Sequence, residues 1–95
     1  MKHFIIVKFT ESVNVHELVK PIKALFNKAL DIDGVSGVDV SVSNMDLPNR
    51  HDLMIKMELT SEALTEFDNS EIHKQWKSEY GKFIINKTIF DCDNL

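Results

Sequence analysis

Two periodicities divide the chain. Residues 2–9 are a run of β-formers too short for a stable helix, and they predict a strand with faces Phe4, Ile6, Lys8 and His3, Ile5, Val7, Phe9. Both faces are largely apolar. After a polar break at residues 10–14, the positions Val15, Leu18, Val19, Ile22, Leu25, Phe26 and Ala29 recur three and four apart, which is the stripe of an amphipathic helix. Asn14, with Glu17 three residues on, supplies a capping-box variant at its start. Pro21 removes a backbone donor and disfavours helical geometry at Lys20, so a kink or a late start is expected. Gly34 offers the positive φ that ends a helix.

Val38, Val40 and Val42 alternate with Asp39, Ser41 and Ser43, a second strand with one polar face. A loop over residues 44–50 leads to a third strand over 51–59, where Leu53, Ile55, Met57 and Leu59 face one way and Met54, Lys56 and Glu58 the other. Thr60-Ser61-Glu62 reads as an N-cap and acidic first turn before Ala63, Leu64 and Phe67. Asp68-Asn69-Ser70 breaks that helix, and a further helical segment carries Ile72, Trp76, Tyr80 and Phe83, ending near Gly81. Residues 84–91 form a fourth strand, with Ile85 and Ile89 on one face and Ile84 and Phe90 on the other.

The order β-α-β-β-α-β predicts an α+β, ferredoxin-like antiparallel sheet with both helical regions on one face. A lone sandwich of that kind leaves its other face in water, yet strands one and four are apolar on both sides. Two copies packing sheet against sheet would cover that surface, so a homodimer is expected.

The chain has 95 residues, and 11 basic against 15 acidic side chains give a net charge of −4, which disfavours a nucleic-acid partner. The length suits one domain over residues 1–95. A single cysteine, Cys92, makes neither an intrachain disulfide nor a thiolate zinc site and fits a reducing, cytoplasmic setting. The opening apolar run is too short for a signal peptide, and no stretch approaches the ~20 apolar residues of a membrane helix. The four histidines and Cys92 lack ligand spacing, so no metal is expected, and the absence of a glycine-rich phosphate loop removes nucleotide cofactors.

Several short motifs resemble, in order and spacing, the stress-responsive dimeric α/β-barrel (Dabb) family. They are Lys2-His3 opening an apolar strand, His51-Asp52-Leu53 opening the third, Glu62-Ala63-Leu64 then Phe67, His73 six residues beyond Phe67, and the closing Ile89-Phe90-Asp91. The resemblance spans nearly the whole chain. It implies ferredoxin-like protomers whose sheets close into one barrel across a dimer. One plant branch of the family cyclises polyketides with a first-strand histidine and a histidine of the second helical region, positions that match His3 and His73. A third histidine of that branch falls on Asp52, the family's frequent tyrosine on His51, and its His-Pro on Ser70-Glu71.

The candidate chemistry is therefore an acid–base pair, His3 and His73, since imidazole trades protons near neutral pH. Tyr80 is a candidate to orient a substrate carbonyl, and Ile5, Val7 and Asp52 are candidate ligand-binding positions. The plainer reading makes His3 a strand-end residue satisfied by a backbone or carboxylate partner, His73 a residue capping a turn and Tyr80 part of the core edge. Three functions follow: a small dimeric barrel protein binding an apolar or carbonyl small molecule or a partner, a lyase or polyketide-cyclase-like enzyme acting on a carbonyl compound through His3 and His73, or a purely structural assembly subunit.

Overall fold

The computed structural model describes residues 1–93. Strand β1 (Lys2–Phe9) leads to helix α1 (Val15–Asn27), a 3-10 turn (Lys28–Asp31), the β2–β3 hairpin (Val35–Val42 and Leu53–Leu59), helices α2 (Ser61–Asp68) and α3 (Glu71–Tyr80), a second 3-10 turn (Gly81–Phe83) and strand β4 (Ile84–Cys92). The strands form one antiparallel sheet in the order β2-β3-β1-β4, the ferredoxin-like arrangement. Within one chain this sheet is open, with β2 and β4 as its edges, so barrel closure requires a second molecule.

Local signals act as the sequence implies. Asn14 Oδ1 accepts from the His16 amide at 3.1 Å, Thr60 Oγ1 from the Ala63 amide at 3.1 Å, and Ser70 Oγ from the His73 amide at 3.3 Å, capping all three helices. Gly34 adopts φ 94°, and a side chain there would meet Thr60 Oγ1 at 2.6 Å, so glycine is required by conformation and space together. Pro21 does not delay α1, which starts at Val15 and runs through it. Pro21 and Glu17, whose carbonyl loses its helical donor, are both exposed, so water can satisfy the freed oxygen.

Alternation on β1 assigns the two faces. His3, Ile5, Val7 and Phe9 are buried toward the helices, joined by Leu53, Ile55, Met57 and Leu59 of β3. Ile22, Leu25 and Phe26 from α1, Ala63 and Phe67 from α2, and Trp76 and Tyr80 from α3 close this core. Phe26 is its centre, with ring centroids 5.8 Å from Phe67 and 5.1 Å from Trp76. Aromatic contacts of this kind add to the area each ring buries.

No helix covers the opposite face. It carries Phe4, Ile6 and Met54, all half-buried, and Phe90, 57% exposed, with Phe4 and Phe90 6.2 Å apart. Toward β2 the same face turns charged: Lys56 Nζ stands 3.9 Å from both Asp39 and Glu58.

Strand β4 corrects the reading from alternation. The register shifts between Lys8 and Phe9, pairing Lys8 with Asn86 and Phe9 with Ile84. Ile85 is the extra residue of a β-bulge, so Ile84 joins Phe9 on the core side while Phe90 stays on the open face; they do not share one. Strand β3 begins at Leu53, so His51 and Asp52 precede it.

Candidate functional site

Alternation along β1 turns His3 toward the helices, and it is the one polar side chain in the buried class among the described residues. The antiparallel register sets it opposite Asp91, and its Nδ1 lies 2.5 Å from Asp91 Oδ1. A carboxylate only accepts, so Nδ1 carries the hydrogen and donates it, and this holds the ring in one orientation and tautomer. The Asp91 side chain remains 42% open to solvent, so the pair sits at the rim of the core.

His73 lies in the first turn of α3, half-buried, with its ring edge-on to Phe67 at 5.4 Å. Burial lowers its proton affinity below the ordinary value of 6.5; the Lys77 charge adds to this, Asp68 opposes it, and Lys87 lowers it further. At neutral pH it is an uncharged imidazole. Because the unfolded chain then binds the proton more tightly, this group's contribution to stability is full above about pH 6.5 and is lost as pH falls below that value. We expect thermal unfolding followed between pH 7 and 5 to fall less steeply for His73→Gln than for the native chain. Parallel profiles would contradict the assignment.

The two imidazoles have no partner in common. His3 bonds to Asp91, which is opposite residue 3 in the ladder, whereas Lys87, which acts on His73, pairs with Val7. Four residues of strand separate these positions, about 13 Å at ~3.3 Å each. Tyr80 is 7% exposed, with its ring 5.6 Å from Trp76, and burial, then Glu79, raises its phenol above 10.0. The hydroxyl stays protonated at neutral pH, and the ring packs in the helix–sheet core. Ile5 and Val7 are sealed in that core at 2% and 0% exposure.

Asp52 performs backbone work: its Oδ2 accepts from the Phe9 amide at 2.8 Å, and its own amide donates to the Val7 carbonyl at 2.8 Å. It also lines an open cleft of about 1120 Å³ at this end of the sheet. Phe9, Val13 and Val42 form apolar walls there, with Met45 and Leu47 of the β2–β3 loop, 49% and 41% exposed, at the rim. Neither His3 nor His73 lines it. His51 Nε2 is shut off from solvent without a hydrogen-bond partner among the described residues. Among those residues no group of three metal-ligating side chains converges, and no helix is long and apolar enough to cross a membrane.

Asp91 and Lys87 were missed by motif reasoning. The usable signal was ladder arithmetic: once β1 and β4 pair, His3 must face one residue of the closing Phe90-Asp91-Cys92 segment.

The architecture defines an α+β protein of the ferredoxin-like class. It is shared by solved structures of several small proteins, among them a Dabb family protein of Mesorhizobium loti. That protein is 14% identical, with TM-score 0.70 over 99% of this chain and 95% of the other. A dimeric ferredoxin-like protein of unknown function from Thermobifida fusca matches at 8% identity and TM-score 0.77, over 94% and 85%. An antibiotic biosynthesis monooxygenase matches at 15% identity and TM-score 0.79, over 99% and 97%. Identities this low establish the fold. No family model matches the sequence, and no curated protein matches it.

Proposed function

We propose that this chain is a Dabb-type, stress-responsive barrel protein of the cytoplasm that forms a homodimer and binds a small apolar molecule. The observation that carries the reading is the uncovered sheet face, where Phe4, Ile6, Met54 and Phe90 form an apolar surface on the side away from the helices. Such a surface is costly in water and is relieved by a second copy laid face to face. The dimeric character of a structural relative with this fold supports the same arrangement. The cleft beside Asp52, apolar along Phe9, Val13, Val42, Met45 and Leu47, is the place for the ligand, of a size with ordinary small-molecule sites.

Sedimentation at micromolar concentration tests the assembly. A species of twice 10.9 kDa, 2 × 10.9 = 21.8 kDa, is expected, and a single 10.9 kDa species would sink it. Calorimetry with octanol as the apolar probe tests the ligand; absence of binding removes that half of the reading.

A second reading, proton transfer to a carbonyl compound of the polyketide type, draws on the His3–Asp91 pair, which fixes an imidazole as general bases are fixed. It requires His3 and His73 to reach one substrate, and their separate surroundings weigh against it. Turnover of a linear polyketide-type ketone by the native chain, lost in His73→Ala, would reverse that preference.

A further inference from the structure

The cleft and the uncovered sheet face run into one another. Much of the cleft lies on the helix side of the sheet's end, where Val13 and Val15 meet Phe9 and Val42. Two lining residues belong elsewhere. Lys8 alternates with Phe4 and Ile6 on the open face of β1, two residues beyond Ile6, or about 7 Å at ~3.3 Å each. Ile85, the bulge residue of the neighbouring β4, is 60% exposed. The Lys8 ammonium donates to the Arg50 carbonyl at 2.9 Å, which ties this end of the open face to the loop carrying Met45 and Leu47. Lys8 is thus the seam between the two surfaces.

We propose that a second copy of this chain, laid on the sheet face, closes the open side of the cleft, so that each apolar ligand is held by two protomers. This rests on the homodimer and the ligand proposed above, and adds that the site is incomplete in one chain. Area is the first reason. The face is four strands wide at ~4.8 Å each, and β1 is 8 residues long at ~3.3 Å each, which is about 500 Å² in plan. A stable interface takes about 800 Å² of accessible surface from each partner. Phe4 and Ile6 are only the middle of the open face of β1, flanked by Lys2 and Lys8. A partner that buries enough area therefore extends to the Lys8 end, and there it meets the mouth of the cleft.

Enclosure is the second reason. Small-molecule sites bury about 70–90% of a ligand's surface. In the single protomer the cleft is open, with Met45 49% and Leu47 41% exposed at its rim. A wall brought by the partner turns this trough into a pocket. Because a two-fold interface is isologous, what covers one cleft covers the other as well. Lys8 tolerates the seam, since its ammonium already has the Arg50 carbonyl and its stem is apolar.

Octanol affinity, measured by calorimetry on the native dimer and on Phe90→Asp, provides the test. Phe90 pairs with Phe4, about 13 Å along β1 from Lys8, and is not a cleft residue, so its loss separates the copies without altering the lining. The variant should bind octanol at least about tenfold more weakly. A second measurement needs no substitution. If the dimer holds octanol tenfold more tightly at each of two sites, saturating octanol should tighten dimerisation about a hundredfold across a dilution series in sedimentation. Octanol should also move the NMR signals of Val13, Met45 and Ile85. Undiminished octanol affinity in a monomeric Phe90→Asp overturns the proposal, as does a dimer dissociation constant indifferent to octanol. Shifts confined to Phe4 and Phe90 overturn it too, since they place the probe between the sheets. A native dimer that binds no octanol removes the ligand reading together with this proposal and leaves the assembly. A native monomer that binds octanol removes the assembly together with this proposal and leaves the ligand.

Discussion

Phe90→Asp should convert a 21.8 kDa species into a folded chain of 10.9 kDa, with native helix and sheet content by circular dichroism. Phe90 is 57% exposed in the single protomer, with its ring centroid 6.2 Å from that of Phe4, so a carboxylate there costs the protomer little. In the proposed dimer the same carboxylate is desolvated against the partner's apolar face. Truncating a buried aromatic anchor costs ~2–4 kcal/mol of binding, and an unpaired charge adds to that, so association should weaken by a factor of at least about a hundred. Persistence of the heavier species in the Phe90→Asp variant would show that another surface holds the copies together.

Val7→Lys should do something different. Val7 is three residues from Phe4 but points the opposite way, sealed at 0% exposure among the helices. An ammonium at that position has no counter-ion in an apolar core, and the loss should reach about 4–5 kcal/mol or more. Domains of this size have total stabilities of only ~5–15 kcal/mol. The expected outcome is a chain largely unfolded at 37 °C at any protein concentration, judged by circular dichroism and a thermal scan. A folded but monomeric Val7→Lys would mean that the assignment of the two faces is reversed. Together the two variants separate a face that builds the protomer from a face that joins protomers.

The parts of the fold legible in the sequence are those written by near neighbours. Asn14, Thr60 and Ser70 cap helices through bonds spanning two or three residues, and Gly34 ends a segment by its own φ. Strict alternation located β1 and the core face of β3. Pro21 does not delay the helix, because a local penalty is small when the freed carbonyl is wetted, and the packing of Ile22, Leu25 and Phe26 holds the helix through it. The site was less legible, because its geometry joins distant parts of the chain. His3 and His73 stood out as titratable groups, but the bond to Asp91 spans 88 residues and the influence of Lys87 on His73 crosses from strand to helix. Tyr80 read first as a core-edge residue and second as a polar handle, and its burial beside Trp76 puts its ring in the core.

The bulge at Ile85 limits how this chain can change its length. On either side of it the ladder is regular, with Phe9 against Ile84 and Lys8 against Asn86. Deleting Ile85 would leave adjoining pairs in sequence and every other β4 side chain on its present face. Deleting any one residue between Lys87 and Phe90 would instead exchange faces for everything on one side of the gap, putting Phe90 under the helices or Ile84 into the open. Strand β4 therefore has one position where a residue can be lost without exchanging its two faces, and descendants of this sequence that shorten the strand should do so there.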